Sequence, residues 1–120
     1  MNNLTERKVE QTFGEVIRAA RKEKGYSQRE LATQIGLDFT YLSKLENNRA
    51  DYPAKEDVIR IIAQKLNLNE EELVFLAGRI PQRDSSLLKQ HYLAMPALFR
   101  RMRDDATFVD EFLQDKLKNS

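Results

Sequence analysis

Three observations predict that this chain of 120 residues adopts an all-helical fold. It contains only four glycines and three prolines, while the strong helix formers Leu, Glu, Lys and Arg are frequent. Apolar residues recur at intervals of three and four, which is the spacing of one helix face. Pairs of Ser, Thr or Asn with a glutamate three positions later stand before several of these stretches, as expected of helix N-caps. The length favours one compact domain with an appendage rather than two full domains.

Composition also narrows the classes of protein and site. The chain has no cysteine, so a disulfide framework and a cysteine-based zinc site are excluded, and a reducing cytoplasm is expected. No apolar run approaches the roughly 20 residues of a membrane helix, and residues 1–11 lack the apolar core of a signal peptide. We therefore expect a soluble, cytoplasmic protein with no membrane association. The polar residues 1–11 form either a disordered terminus or an arm that contacts DNA through Arg7 and Lys8.

The first predicted helix follows this polar start. Thr12 and Glu15 form a capping pair, and Gly25 ends the helix. Core spacing assigns four residues to its buried face: Phe13, Val16, Ile17 and Ala20.

Residues 27–49 are predicted to form two short helices joined by a tight turn. Ser27 and Glu30 make a capping box for the first helix, Gly36 supplies the left-handed backbone that ends it, and Asp38 caps the second helix. The inward positions are Leu31, Ala32, Ile35, Leu42 and Leu45. The outward positions of the second helix are Phe39, Thr40, Ser43 and Lys44.

Two more helices complete the predicted core. Pro53 suits the first turn of the fourth helix, and Asn69 with Glu72 forms a capping pair for a short fifth helix that Gly78 closes. The expected inward residues of the fourth helix are Val58, Ile61, Ile62, Leu66 and Ala63.

A boundary near residue 80 separates this domain, residues 1–80, from a helical extension, residues 81–120. Ser85 or Ser86 is expected to cap a helix that runs towards Met95, Pro96 restarts the chain, and Asp104 or Asp105 caps a last helix. Wide apolar stripes on these helices must be buried, either against the domain or in a symmetric dimer, which we favour. The predicted dimer interface consists of Leu87, Leu88, Tyr92, Leu98, Phe99, Phe108, Phe112 and Leu113.

The order and spacing of several segments between Phe13 and Gly78 are more specific than any single cap. They are Gly14, Ile17-Arg18, Arg21, GYSQRELA of residues 25–32, Gly36-Leu37, YLSKLENNR of residues 41–49, and IAQKL of residues 62–66. At these positions the chain resembles the Cro and phage-repressor (XRE) helix-turn-helix family. The resemblance implies a five-helix DNA-binding domain whose helix-turn-helix spans residues 27–47. It also implies a partly buried ion pair between Arg21 and Glu46.

By the same resemblance, the second helix of the motif enters the DNA major groove, and Phe39, Thr40, Ser43 and Lys44 occupy base-reading positions. Better-known members often carry glutamine at the first two positions, so their operators do not transfer to this chain. Phe39 has a rival interpretation as a core aromatic, and Tyr41 has one as a packing residue. The expected phosphate contacts are Gln28, Arg29, Tyr41, Asn47, Asn48 and Arg49.

Charge supports DNA binding only together with the motif. The whole chain has 20 basic and 19 acidic residues, but from Arg18 to Arg49 basic residues outnumber acidic ones by seven to four. An enzyme is not expected, because there is no phosphate loop, metal-ligand spacing or nucleophile near His91, the single histidine. No cofactor or metal is expected either.

Three functions remain. The first is a dimeric transcriptional repressor on a palindromic operator in double-stranded DNA. The second is an antitoxin that represses its own operon and binds a toxin, a protein partner, through the C-terminal helices; a neighbouring toxin-like reading frame would favour it. The third is a protein-interaction module without DNA activity, which failure to bind DNA at low salt would support.

Overall fold

The computed structural model describes residues 11–118, and within that range the chain is all-helical, as predicted. The expected contacts of Arg7 and Lys8 lie outside the described residues. The chain divides after Gln82 into two units. Five helices form the first unit: α1 Phe13–Glu23, α2 Gln28–Ile35, α3 Phe39–Glu46, α4 Glu56–Leu66 and α5 Glu70–Leu76. A 3₁₀ turn, Gln82–Asp84, leads to α6 Ser85–Gln90, α7 Met95–Asp104 and α8 Ala106–Lys118. No helix in the described range is long and apolar enough to span a membrane.

The predicted N-caps of the first unit are confirmed. Thr12 and Ser27 each form a reciprocal capping box. The side chains of Asp38 and Asn69 each accept a hydrogen bond from the backbone N–H three residues later. Pro53 was expected in the first turn of α4, which is wrong, because the helix begins at Glu56.

All five helices of the first unit end with the same hydrogen-bonded pattern. A residue with positive φ donates its N–H to the carbonyl three residues back, and the next residue donates to the carbonyl five residues back. This is the Schellman arrangement, which satisfies carbonyls left free at a helix end. Glycine takes the left-handed position in three helices, whereas asparagine takes it in two. The positions are Gly25, Gly36, Asn48, Asn67 and Gly78.

One core lies among the five helices, and it contains most of the predicted inward residues. Its buried apolar members are Ile17, Ala20, Leu31, Ala32, Leu42, Leu45, Ala54, Ile59, Ile62, Ala63, Leu66, Leu73 and Val74. The expectation that Ile61 faces inward is wrong, because 44% of this residue is exposed, while Ile59 is fully buried. The stripe of α4 runs at i, i+3, i+4 and i+7 from Ile59, and position 61 falls beside it.

The second unit is described by itself. Its first helix ends at Gln90 instead of continuing towards Met95, and residues 91–94 form a turn. Pro96 lies in the first turn of α7, where its missing N–H is tolerated, whereas inside a continuous helix it would break the backbone ladder. Asp105 caps α8, because its Oδ1 accepts from the backbone N–H groups of Thr107 (3.1 Å) and Phe108 (3.3 Å). No residue between 83 and 116 is buried.

Candidate nucleic-acid interface

Helices α2 and α3 meet through a three-residue turn. Gly36 adopts φ 69°, so the chain reverses at the end of α2 without a Cβ penalty. Asp38 then caps α3 by accepting from the backbone N–H of Tyr41 at 3.0 Å. Leu42 and Leu45 are buried in the core, which turns the opposite face of α3 outward. The turn and the cap together set which residues of α3 face solvent.

A buried ion pair ties α3 to α1. The Nε of Arg21 donates to Oε2 of Glu46 at 2.7 Å, and a second guanidinium nitrogen donates to Oε1 at 3.0 Å. The remaining guanidinium nitrogen donates to the carbonyl of Tyr26 at 2.7 Å. The amide of Gln28 donates to Oε1 of Glu46 at 2.9 Å. Within the described residues no buried side-chain polar atom lacks a partner. The charges are therefore satisfied, and they hold the last turn of α3 against α1.

The side chain of Asn48 also joins the end of α3 to the start of α1. The Oδ1 of Asn48 accepts from the backbone N–H of Gly14 at 3.0 Å, and its Nδ2 donates to Oγ1 of Thr12 at 2.9 Å. A Cβ at Gly14 would lie 2.4 Å from the carbonyl oxygen of Glu46 and 2.6 Å from that of Leu45. Glycine at position 14 is therefore what allows the two helix ends to approach this closely.

Two of the residues predicted to contact phosphate use their side-chain amides in hydrogen bonds within the domain. The amide of Gln28 donates to the buried carboxylate of Glu46. The amide oxygen and nitrogen of Asn48 form hydrogen bonds with Gly14 and Thr12 at the start of α1. A phosphate that bound the Asn48 side chain would have to displace the bond that satisfies Gly14, and the phosphate contact of Asn48 stays a prediction. The sequence carried one signal for the hydrogen bonds of Asn48 to α1, an asparagine in the left-handed position that follows a helix.

The outward face of α3 carries three polar residues. Thr40 and Lys44 are exposed, and neither side chain has a hydrogen bond or ion pair to another described residue. Ser43 is half-buried, and its carbonyl accepts from Nδ2 of Asn47 at 2.9 Å. Asn47 and Arg49 are exposed just beyond the helix. An uncommitted lysine and hydroxyls on one helix face are suited to hydrogen bonding with base edges.

The two aromatic residues of α3 are both half-buried and pack against the core. Tyr41 therefore has the packing role that was its rival interpretation. Phe39 packs likewise, but its ring also carries the guanidinium of Arg29, whose Cζ lies 4.2 Å from the ring centroid. Arg29 itself is exposed. Phe39 thus lies at the edge between the core and the outward face.

Comparisons with known proteins agree with this geometry. The model of a helix-turn-helix domain family matches residues 14–79, more than half of the chain, and the chain belongs to that family. Over 72 residues it is 33% identical to the HTH-type transcriptional repressor RghR of Bacillus subtilis (strain 168), covering 60% of this chain and 53% of that protein. The chain thus spans about half the length of this curated relative.

A solved structure shares the fold at lower identity. It is titled SinR protein/SinI protein complex, superposes with a TM-score of 0.50 at 23% identity, and covers 90% of this chain and 98% of that one. At that identity the likeness concerns the fold alone.

Proposed function

We propose that this protein is a sequence-specific DNA-binding transcriptional regulator, a cytoplasmic repressor that acts as a dimer on a palindromic operator. The observation that carries the proposal is the recognition helix α3, whose inner side is locked by the Arg21–Glu46 pair while its outer side presents an exposed lysine without a partner in the described residues. A helix of this kind fits the DNA major groove, where each base pair presents a distinct pattern of donors and acceptors. The family membership of residues 14–79 supports the same reading.

Each outward residue of α3 has a base contact suited to its chemistry. Lys44 donates to guanine O6 and N7, Thr40 contacts a thymine methyl or donates from its hydroxyl, and Ser43 bonds to several bases. Phe39 offers apolar contact to a thymine methyl. Among the predicted phosphate contacts, Arg49 is exposed at the end of α3 and contributes the salt-dependent part of the affinity. Asn47 contributes at the same end of the helix, and Tyr41 contributes in its first turn.

The base-reading role of Lys44 is tested by Lys44→Ala. The variant should bind the selected operator more weakly and with relaxed preference at one position, by about 5- to 150-fold for a lost specific contact, with the circular-dichroism signal unchanged. Lys89→Ala is the matched control, because it removes the same charge from an exposed position on α6. Binding is measured by fluorescence anisotropy on duplexes selected from a random pool. Equal operator selectivity in the two variants would refute the role.

The second unit supports the dimer. None of the residues 83–116 is buried, although several are large and apolar: Leu87, Tyr92, Leu93, Leu98, Phe99, Met102 and Phe112. Large apolar side chains exposed in such numbers are typical of a protein interface. Of the predicted interface residues, Leu88, Phe108 and Leu113 are half-buried. Two copies joined here would bring two α3 helices to one operator, and dimeric helix-turn-helix proteins bind half-sites about one helical turn apart, roughly 34–36 Å.

The dimer is tested by placing a charge on this surface. The test variant is Phe99→Glu, since Phe99 is 50% exposed in the second unit. The matched control is Phe75→Glu, because Phe75 of α5 is 51% exposed. We expect sedimentation equilibrium to give a dimer for the wild type and the control but a monomer for Phe99→Glu, which should also lose operator affinity. A monomeric wild type would refute the dimer. It would leave the same apolar surface for a different protein, as the antitoxin alternative requires.

A further inference from the structure

The exposed guanidinium of Arg29, next to the recognition helix, contacts an aromatic ring instead of a carboxylate. Arg29, the second residue of α2, places its guanidinium over the face of Phe39, the first residue of α3. The acidic side chains nearest in sequence to each partner are committed elsewhere: Glu30 accepts from the backbone N–H of Ser27, and Asp38 caps α3. Arg29 forms no hydrogen bond or ion pair to another described residue. Its N–H donors are therefore available to a ligand.

We propose that Arg29 and Phe39 form one composite reading unit, in which Phe39 positions the guanidinium of Arg29 to bind a guanine next to a thymine in each half-site. This inference rests on the proposed function. It changes the role of Arg29 from a phosphate contact to a base contact, and it gives Phe39 a second role as a positioning residue.

The stacking geometry supports a base contact. The Cζ of Arg29 lies 4.2 Å from the centroid of the Phe39 ring, where cation–π attraction holds the guanidinium, and the N–H groups on the edges of the guanidinium form no hydrogen bond with another described residue. Those edges match the paired acceptors O6 and N7 of guanine, the commonest specific contact that arginine makes with DNA. A phosphate group could accept from the same edge, and the sequence preference of an Arg29 variant distinguishes the two contacts.

The position of the ring supports a groove location. Phe39 begins the recognition helix, and the N-terminal residues of this helix contact base edges in helix-turn-helix proteins. The ring is half-buried and packs against the core, so it is a fixed platform rather than a mobile side chain. Fixing the guanidinium in advance reduces the conformational entropy that an exposed arginine loses on binding.

The exposed part of the same ring provides the second half of the reading unit. An aromatic ring offers apolar contact to the C5-methyl group of thymine. The guanidinium lies 4.2 Å from the ring centroid, a distance similar to the rise of about 3.4 Å between neighbouring base pairs, so we assign the two contacts to neighbouring base pairs. The unit therefore reads a two-base step that combines guanine with thymine.

The test begins with Arg29→Gln in the full chain, with Arg49→Gln as the matched control, because both replace an exposed arginine by the same neutral residue. Sequences bound by each protein are selected from a random duplex pool and sequenced. Arg29→Gln should lose the preference for guanine at one position per half-site, by roughly 5- to 150-fold, and keep the other preferences. Arg49→Gln should weaken all sequences together and lower the salt slope by about one.

Two further measurements test the composite character. Phe39→Leu keeps an apolar contact with the methyl group but removes the ring face, so it should lose the guanine preference although Arg29 is intact. The double variant should lose no more guanine preference than Arg29→Gln. Replacing the neighbouring thymine by deoxyuracil removes only its methyl group. This replacement should weaken binding by the wild type several-fold and have little effect on Phe39→Ala.

The outcomes separate the inference from the proposed function. If Arg29→Gln weakens all sequences equally, Arg29 contacts phosphate and the inference is wrong. If Phe39→Leu retains the guanine preference, the ring does not position Arg29, and the composite unit is refuted. If the wild type selects no sequence from the pool even at low salt, the proposed function itself fails. Circular dichroism and the thermal midpoint identify any variant whose fold has changed.

Discussion

Asn48→Gly is expected to destabilise the first unit, because it removes a side chain that joins two helix ends and leaves the left-handed backbone unstrained. Gly14 is the second residue of α1, so its N–H has no partner within the helix and relies on the Oδ1 of Asn48 at 3.0 Å. The second bond, from Nδ2 to Oγ1 of Thr12 at 2.9 Å, is exposed and water can replace it. The loss of both hydrogen bonds should lower the free energy of unfolding by about 1–3 kcal/mol.

Asn67→Gly provides the matched control. Asn67 occupies the same left-handed position at the end of α4, with φ 60° against 56° for Asn48, but its exposed side chain has no hydrogen bond to another described residue. Both variants gain the same conformational freedom of glycine. The difference between their free energies of unfolding therefore measures what the side chain of Asn48 contributes through its hydrogen bonds. A difference of about 2 kcal/mol corresponds to a fall of about 8–16 °C in Tm for a unit of this size. Equal midpoints in thermal denaturation followed by circular dichroism would refute this reasoning.

Two other predictions concern charges in the first unit. Arg21→Met should lower the free energy of unfolding by about 3–5 kcal/mol, because it leaves the carboxylate of Glu46 buried without its cation, and adding Glu46→Leu should recover most of that loss. Urea denaturation measures both effects. A double variant no more stable than Arg21→Met would contradict the charge argument. The pKa of Glu56 lies below its usual value of 4.5, chiefly because the backbone N–H of Gln82 and the side chain of Arg60 bond to the carboxylate. This contact therefore stabilises the fold above the unfolded pKa and is lost as the pH falls through the lower folded value. Glu56→Gln should flatten that acid dependence in pH-dependent denaturation, and an unchanged pH profile would exclude the contact.

Local sequence signals predicted most of the helices and several of their ends. Thr12, Ser27 and Asp38 cap the helices that were predicted from them, and Gly36 ends α2, because capping depends on residues within one turn of each other. Such signals failed where packing decided the outcome. Periodicity alone placed Ile61 inward, whereas the stripe that meets the other helices begins at Ile59.

The candidate site also contains some features that follow from the sequence and others that do not. Which residues lie on the outer face of α3 follows from the spacing of Leu42 and Leu45, because a helix that buries one face exposes the other. The family resemblance added the pair of Arg21 and Glu46, which are separated by 25 residues. Spacing along one helix could not have supplied that contact.

The remaining features depended on tertiary structure. Asn48 contacts Gly14, 34 residues away, and Arg29 stacks on Phe39 from a different helix. Both contacts arise because packing brings separate helix ends within hydrogen-bond or stacking distance, and no local pattern encodes that distance. The sequence by itself therefore determined the helices, their caps and the outward residues of α3. Only the tertiary structure decided which polar side chains hold α3 in place and which remain available to a ligand.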